Sequence, residues 1–137
     1  MKTFSDFCVE GSDVVELYDI VQTLEQVSVE FKCFHWNVTG EGFLPAHELF
    51  GEIYTKLIQH EDILAEKCRG YGINIRVHSS GYFDGSVSEA ISAAQVSLTR
   101  LRADVTSPPV GLDIAADNVL ADLATDIDSW LYKLGSM

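Results

Sequence analysis

The stretch PAHELFGEIYTKLIQHEDILAEKCRGYG, residues 45–72, carries two sets of side chains at helical spacing. Pro45 is favoured in the first turn of a helix, and Gly70 or Gly72 suits a helix end. A core stripe recurs at intervals of three and four residues and contains Ala46, Phe50, Ile53, Leu57, His60 and Leu64. A second seam, displaced by one residue, contains His47, Gly51, Tyr54, Ile58, Asp62, Ala65 and Glu66. The stretch predicts one long helix with a core face and an adjoining face that an isolated bundle would expose.

Three other segments show the same amphipathic spacing. Counted along the chain, with residues 45–72 as the second helix, the first helix begins after Asp13 and stops by Gly40. The third follows a capping box of Ser86 and Glu89, and the fourth ends at Gly135. Their apolar stripes are Val14, Leu17, Val21, Leu24, Ser28, Phe31 and His35 in the first, Val87, Ile91, Ala94, Leu98, Leu101 and Val105 in the third, and Ala116, Leu120, Leu123, Ile127, Trp130 and Leu134 in the fourth. The chain therefore predicts four amphipathic helices.

The segment INIRVHSSGYFDG, residues 73–85, alternates briefly, but no other segment offers an evident partner strand, which favours a long connection over a sheet. Two helix pairs joined by one long crossover are typical of an all-α, ferritin-like four-helix bundle, with the crossover between helices two and three. We expect residues 1–137 to form a single domain with a short N-terminal tail over residues 1–12.

The composition indicates which binding partners and which cellular compartment to expect. A net charge of −12 disfavours binding to DNA and to anionic membranes, and makes cations the natural partners. The sequence has no apolar run of roughly 18 residues and no signal-peptide pattern at its start, so we expect a cytoplasmic protein. Cys8, Cys33 and Cys68 are odd in number and lack CxxC spacing, which favours reduced, buried thiols.

An acidic bundle suggests a carboxylate metal site, but none of the four histidines has a glutamate three residues before it, so the di-iron Glu-x-x-His pattern is absent.

Asp62 and Glu66 lie on one helix face and could converge on a hard cation. His47 precedes Asp62 by 15 residues, or about 22 Å along a helix. One chain cannot bring them to one ion. A two-fold axis near Tyr54 and Thr55 would place His47 of one chain beside Asp62 of the other.

His35 could join the histidine end of each such site. Two imidazoles and two carboxylates suit iron, zinc or manganese, and of these only iron and manganese bring redox chemistry. A histidine on an apolar stripe is more often a satisfied core residue, and we retain that interpretation for His60. His78, in the crossover, is expected to be solvated.

The stretch FHWNVTGEGFLPAHELFGEIYTKLIQHEDILAEKCRGYG, residues 34–72, resembles the fingerprint of the DNA-protection-during-starvation (Dps) proteins, or mini-ferritins. That fingerprint is His-Trp-Asn-Val-x-Gly, a second histidine twelve residues after the first, and then Asp-x-x-x-Glu. The segment DIDSWLYKL, residues 126–134, is similar, more weakly, to the last helix of the family.

The resemblance implies a hollow shell of twelve subunits that takes in Fe²⁺, oxidises it preferentially with hydrogen peroxide and stores a ferric mineral. It implies a site at the dimer two-fold, with His35 and His47 from one chain and Asp62 and Glu66 from the other. Trp36 matches the tryptophan beside the family's site, where oxidising equivalents can be taken up.

Two departures from the family pattern affect this expectation. The family usually has an aspartate four residues after the second histidine, where this chain has Gly51, followed by Glu52. If Gly51 is a lost ligand, Gly51→Asp should increase iron binding. Glu52 is rotated by about 140° from His47 in a regular helix, so it replaces the ligand only if the helix or its side chain adapts. The family also commonly has a short helix in the crossover.

The sequence leaves two alternatives to a ferroxidase open. One is a non-catalytic shell or scaffold with a degraded site, and the other is a DNA-compacting protein, as some family members are. Four aspartates of the fourth helix could line a channel or form a plain solvated face: Asp113, Asp117, Asp122 and Asp126.

Overall fold

The structure, a computed structural model, describes residues 11–106 and 113–137. Within those residues the chain forms four helices: α1 Gly11–Asn37, α2 Phe43–Gly70, α3 Val87–Thr106 and α4 Ile114–Gly135. Residues 1–10, which make up most of the expected tail, and the SPPVG segment at 107–111 lie outside the described residues. The prediction of an all-α four-helix bundle is confirmed.

Local signals set the helix ends. At the start of α3, the Ser86 N–H donates to Glu89 Oε1 over 3.2 Å, and the Glu89 N–H donates to Ser86 Oγ over 3.2 Å, which confirms the predicted capping box. At the start of α4, the Asp113 carboxylate accepts from the Ala116 N–H over 2.7 Å. Gly40 and Gly42, with φ of 99° and 81°, let the chain reverse between α1 and α2.

The predicted apolar stripes supply most of the core of the bundle, although Val87 and Ile91 of the α3 stripe are only half-buried. All six stripe positions of α2 and all six of α4 are buried, as are those of α1 from Leu17 to Phe31. His35 differs from the pattern because it is only half-buried. Since α1 ends two residues later, the ring of His35 packs at the end of the bundle against α2. Helix α1 packs mainly on α2, and α3 mainly on α4.

The crossover lies along α1 without a helix of its own. Residues 73–84, all of which the structure describes, form neither helix nor strand. The side-chain amide of Gln26 donates to the Ser80 carbonyl over 3.0 Å and holds the crossover to the bundle.

The end of the crossover corrects one detail of the sequence analysis. Strand β2, Gly85–Ser86, pairs in parallel with β1, Val38–Thr39. The pair arises because the two segments run side by side where they leave α1 and enter α3, so a two-residue ladder satisfies their backbone groups. No helix within the described ranges is long and apolar enough to cross a membrane.

Candidate metal centre

Two histidines meet where the end of α1 faces the beginning of α2. His35 Nδ1 donates to the carbonyl oxygen of His47 over 2.6 Å, and His47 Nδ1 donates to the carbonyl oxygen of His35 over 2.7 Å. A carbonyl oxygen only accepts, so Nδ1 carries the proton in both rings. In a neutral ring the lone pair then lies on Nε2, the atom available to a metal. The backbone thus fixes both imidazoles in a metal-binding tautomer.

Ring packing reinforces this arrangement. The rings of His35 and His47 stack with their centroids 3.9 Å apart and their planes at 14°. Phe43 stacks near His47 at 5.1 Å, and Tyr54 lies 5.5 Å from His35. Both histidines are half-buried. The pair is therefore held by hydrogen bonds and by aromatic neighbours from α2.

An aromatic cluster holds the two helix ends together. The Phe34 ring contacts Phe31 at 5.2 Å, Phe50 at 5.7 Å and Phe83 at 5.2 Å, so α1, α2 and the crossover share one apolar contact. Aromatic pairs at these distances add to the burial of their surface. The cluster therefore fixes the position of His35, the next residue in the chain.

Gly51 lies one helical turn after His47, and sequence reasoning missed its relation to His35. A β-carbon on Gly51 would lie 2.7 Å from Cε1 and 2.9 Å from Nδ1 of the His35 ring. Both distances are shorter than any van der Waals contact. The His35 ring therefore occupies the space in which a side chain at position 51 would begin.

The candidate carboxylates lie elsewhere on α2. Asp62 and Glu66 are exposed, and 15 residues of helix, about 22 Å, separate His47 from Asp62. Across residues 11–106 and 113–137, no three histidine, cysteine, aspartate or glutamate side chains group as metal ligands. The structure thus brings the two histidines together and keeps the two carboxylates at the other end of the helix.

The carboxyl group beside Asp62 has an altered acidity. Burial between α1 and α2 is the main cause that raises the pKa of Glu61 from 4.5 to about 8, and a hydrogen bond with Glu25 also raises it. The raised pKa favours the protonated, neutral form of Glu61 next to the exposed Asp62.

The remaining candidates flank the histidine pair. Trp36 follows His35 and is 64% exposed, so its indole is accessible beside the pair. Glu52 is also exposed, and its Oε1 lies 3.5 Å from Nζ of Lys133 on α4. Glu52 is thus directed toward α4, and it could reach the histidines only by leaving Lys133.

The other two histidines behave as the sequence predicted. His60 is buried, and its Nε2 lies 2.7 Å from Oδ2 of Asp126, which confirms that it is a satisfied core residue. His78 is exposed in the crossover. Asp126 as the partner of His60 was missed, although its spacing of three residues from Leu123 and four from Trp130 could have suggested an inward-facing carboxylate.

Two of the predicted buried thiols are also found. Cys33 and Cys68 are buried, while Cys8 lies outside the described residues. Burial raises the pKa of Cys68 to about 11. Asp113, one of the four aspartates considered for a channel, caps α4 and forms an ion pair with Lys67 at 3.2 Å.

Comparison with known proteins places the chain in a family. No family model matches the sequence. A DNA protection during starvation protein of Brevibacillus brevis is 31% identical over 117 residues, which cover 77% of each protein. An uncharacterized protein of Haemophilus influenzae is 31% identical over 64 residues, or 42% of this chain and 40% of that protein.

Solved structures support the fold. A C-terminal deletion mutant of Dps from Mycobacterium smegmatis superposes with a TM-score of 0.81 at 18% identity, covering 93% of this chain and 99% of that one. Dps from Microbacterium arborescens, solved in a high iron form, superposes with a TM-score of 0.63 at 20% identity and covers 90% of each chain. From the identity and coverage of the Brevibacillus relative, this chain belongs to the family of DNA protection during starvation (Dps) proteins, the mini-ferritins.

Proposed function

We propose that this protein is a ferroxidase and iron-storage protein, which binds Fe²⁺ as substrate at a site shared between subunits and oxidises it with hydrogen peroxide. The observation that carries the proposal is the histidine pair. His35 and His47 each donate Nδ1–H to a backbone carbonyl, so both Nε2 atoms present lone pairs. Imidazole suits iron and zinc, and iron is the redox-active cation that fits the family.

We propose that a second subunit completes the site. The carboxylates of Asp62 and Glu66 are about 22 Å or more along α2 from His47, too far to share its ion within one chain. An antiparallel α2 of a partner, with a two-fold axis near Tyr54 and Thr55, would bring these carboxylates to the histidines and form two equal sites per dimer. Six such dimers would form the twelve-subunit shell.

The histidine and carboxylate ligands have different roles in the proposed oxidation of Fe²⁺. Two Fe²⁺ ions each lose one electron, and hydrogen peroxide takes up these two electrons and two protons to form two water molecules. The neutral imidazoles hold the metal, and the Asp62 and Glu66 carboxylates compensate the charge that increases as Fe²⁺ becomes Fe³⁺. Trp36 could supply the second electron when only one Fe²⁺ is bound. This reaction consumes iron and peroxide together and so limits hydroxyl-radical damage.

Charge supports storage in the shell and argues against DNA binding. A net charge of −12 per chain favours accumulation of Fe³⁺ as a mineral and repels a polyanion, so we expect no binding to duplex DNA at physiological salt. Asp117 and Asp122, exposed on α4, are candidates to line a channel for Fe²⁺. We expect the shell to act in the cytoplasm.

The test is an anaerobic Fe²⁺ titration of the assembled protein followed by addition of peroxide. We expect His35→Ala, His47→Ala, Asp62→Asn and Glu66→Gln each to lower the iron bound and the rate of oxidation. His78→Ala, at an exposed histidine of the crossover, is the matched control and should change neither. A stable 15 kDa monomer in sedimentation would contradict the shared site.

A second candidate is a shell protein that binds metal without oxidising it. Gly51 favours this alternative because it supplies no carboxylate, so the histidine half of the site lacks a negative charge to stabilise Fe³⁺. In that case the titration would detect bound Fe²⁺, and added peroxide would leave its oxidation rate at that of the protein-free solution. Zn²⁺ or Mn²⁺ could bind to the same ligands.

A further inference from the structure

The space above Gly51 is filled by the His35 ring, which a hydrogen bond and a stacking contact hold in place. The carbonyl of His47 points along α2 toward Gly51, one turn on, as in any α-helix. His35 Nδ1 donates to this carbonyl over 2.6 Å, so the ring must lie beside the Gly51 backbone. A β-carbon there would lie 2.7 Å from Cε1 of the ring.

Displacing the ring would break several contacts at once. The His35 ring would lose its hydrogen bond to the His47 carbonyl and its stacking at 3.9 Å on the His47 ring. His47 Nδ1 in turn donates a hydrogen bond to the His35 carbonyl, which is one of the last carbonyls of α1 and has no partner within the helix. The two histidines are thus interlocked by reciprocal hydrogen bonds, and the His35 ring packs against the backbone of Gly51.

A glycine at this position is otherwise unfavourable. Gly51 lies in the interior of a helix of 28 residues, where alanine has the higher helix propensity. Gly70, at the end of the same helix, offers a comparison because a β-carbon there would meet nothing within 4 Å. Packing against His35 is therefore the physical requirement that distinguishes Gly51 from a neutral surface glycine.

We infer that Gly51 is a positioning residue, which keeps open the space that the His35 ring needs in order to stack on His47 and present its Nε2 to a metal. The metal-binding part of this inference rests on the proposed function. One consequence concerns ligand chemistry, because an imidazole occupies the volume in which a side chain at position 51 would begin. Position 51 therefore offers no carboxylate to the half-site from α1 and α2, and its two imidazoles suit borderline cations such as Co²⁺ and Zn²⁺.

The test is a double-mutant cycle on the assembled protein, with Gly51→Ala, His35→Ala and the double variant. Gly70→Ala is the matched control for the same substitution where the β-carbon has open space. Two quantities are measured: the affinity for Co²⁺, from the visible spectrum of the bound ion, and the melting temperature without metal. The Co²⁺ affinity reports on the metal site, and the melting temperature reports on the packing of the His35 ring.

We expect Gly51→Ala to lower Co²⁺ affinity by about 10–100-fold, the usual effect of losing the support of a metal ligand. His35→Ala should lower it to a similar extent, and the double variant no further. In the His35→Ala background the added methyl group should raise the melting temperature, as Gly70→Ala does, because the ring no longer blocks it.

Wild-type affinity in Gly51→Ala, or losses that add in the double variant, would overturn the inference. The metal-free melting temperatures decide the role of Gly51 even if the wild-type shell fails to oxidise Fe²⁺. That failure would contradict the proposed function alone.

Discussion

Replacing Glu61 by glutamine should make the stability of the protein less dependent on pH. Burial between α1 and α2, with a hydrogen bond to Glu25, raises the pKa of Glu61 from 4.5 to about 8. Between these two values the folded protein keeps the proton that the unfolded chain releases. The stabilising effect is therefore complete below pH 4.5 and is lost as the pH rises through 8. Glutamine stays neutral throughout and can still donate to Glu25.

The size of the effect follows from the change in pKa. Raising a pKa by one unit corresponds to about 1.4 kcal/mol, so a change from 4.5 to about 8 sets an upper limit of about 5 kcal/mol. Glu61 is only partly buried, and solvent screens its charge. We therefore expect Glu61→Gln to be more stable than the wild type by about 1–2 kcal/mol at pH 8.5, and nearly equal to it at pH 5.

The assay is thermal and denaturant unfolding at a series of pH values from 5 to 8.5. Glu16→Gln, at an exposed glutamate of α1, is the control and should follow the wild type throughout. The reasoning fails if the wild-type and Glu61→Gln stabilities run parallel across this range, because Glu61 would then ionise alike in the folded and unfolded states.

Three further predictions concern groups outside the metal centre. His60→Ala should lower the free energy of unfolding by about 2–3 kcal/mol, since it removes a buried ring and its hydrogen bond to Asp126, whereas His78→Ala should stay within about 0.5 kcal/mol in denaturant titration. Asp113→Ala should cost about 1 kcal/mol in the same measurement because α4 loses its N-cap. Cys68, whose pKa burial raises to about 11, should remain unmodified by iodoacetamide at pH 8 until the protein unfolds, and labelling of the native protein in mass spectrometry would contradict this.

The helices could be predicted from the sequence because their signals are local. A repeat of three and four residues places apolar side chains on one face, and the core stripes of α2 and α4 are buried at every predicted position. The capping box of Ser86 and Glu89 likewise depends on residues three apart. The pairing of Val38–Thr39 with Gly85–Ser86 could not be predicted, because those residues are 47 apart and become neighbours only through helix packing.

The candidate site was predictable in part for the same reason. The helical rotation of Glu52 away from His47 is a property of the backbone, and Glu52 does lie toward Lys133 on α4. The half-buried state of His35 was not predictable from its apolar stripe, since it depends on where α1 ends and on the turn that brings His47 to it. The reciprocal hydrogen bonds to the two carbonyls likewise depend on that turn.

Gly51 has two interpretations that the sequence cannot separate, because a residue without a side chain gives no sign of what fills its space. As a lost ligand, it predicts that Gly51→Asp restores a carboxylate and increases iron binding. The folded chain supports the opposite expectation, because the β-carbon of any side chain at that position would lie 2.7 Å from the His35 ring and displace it before a carboxylate could reach the metal. Gly51→Asp should therefore bind less Fe²⁺ than the wild type in the anaerobic titration. A gain in bound Fe²⁺ would mean that the ring can yield its place, and that a carboxylate serves the site better than the interlocked histidines.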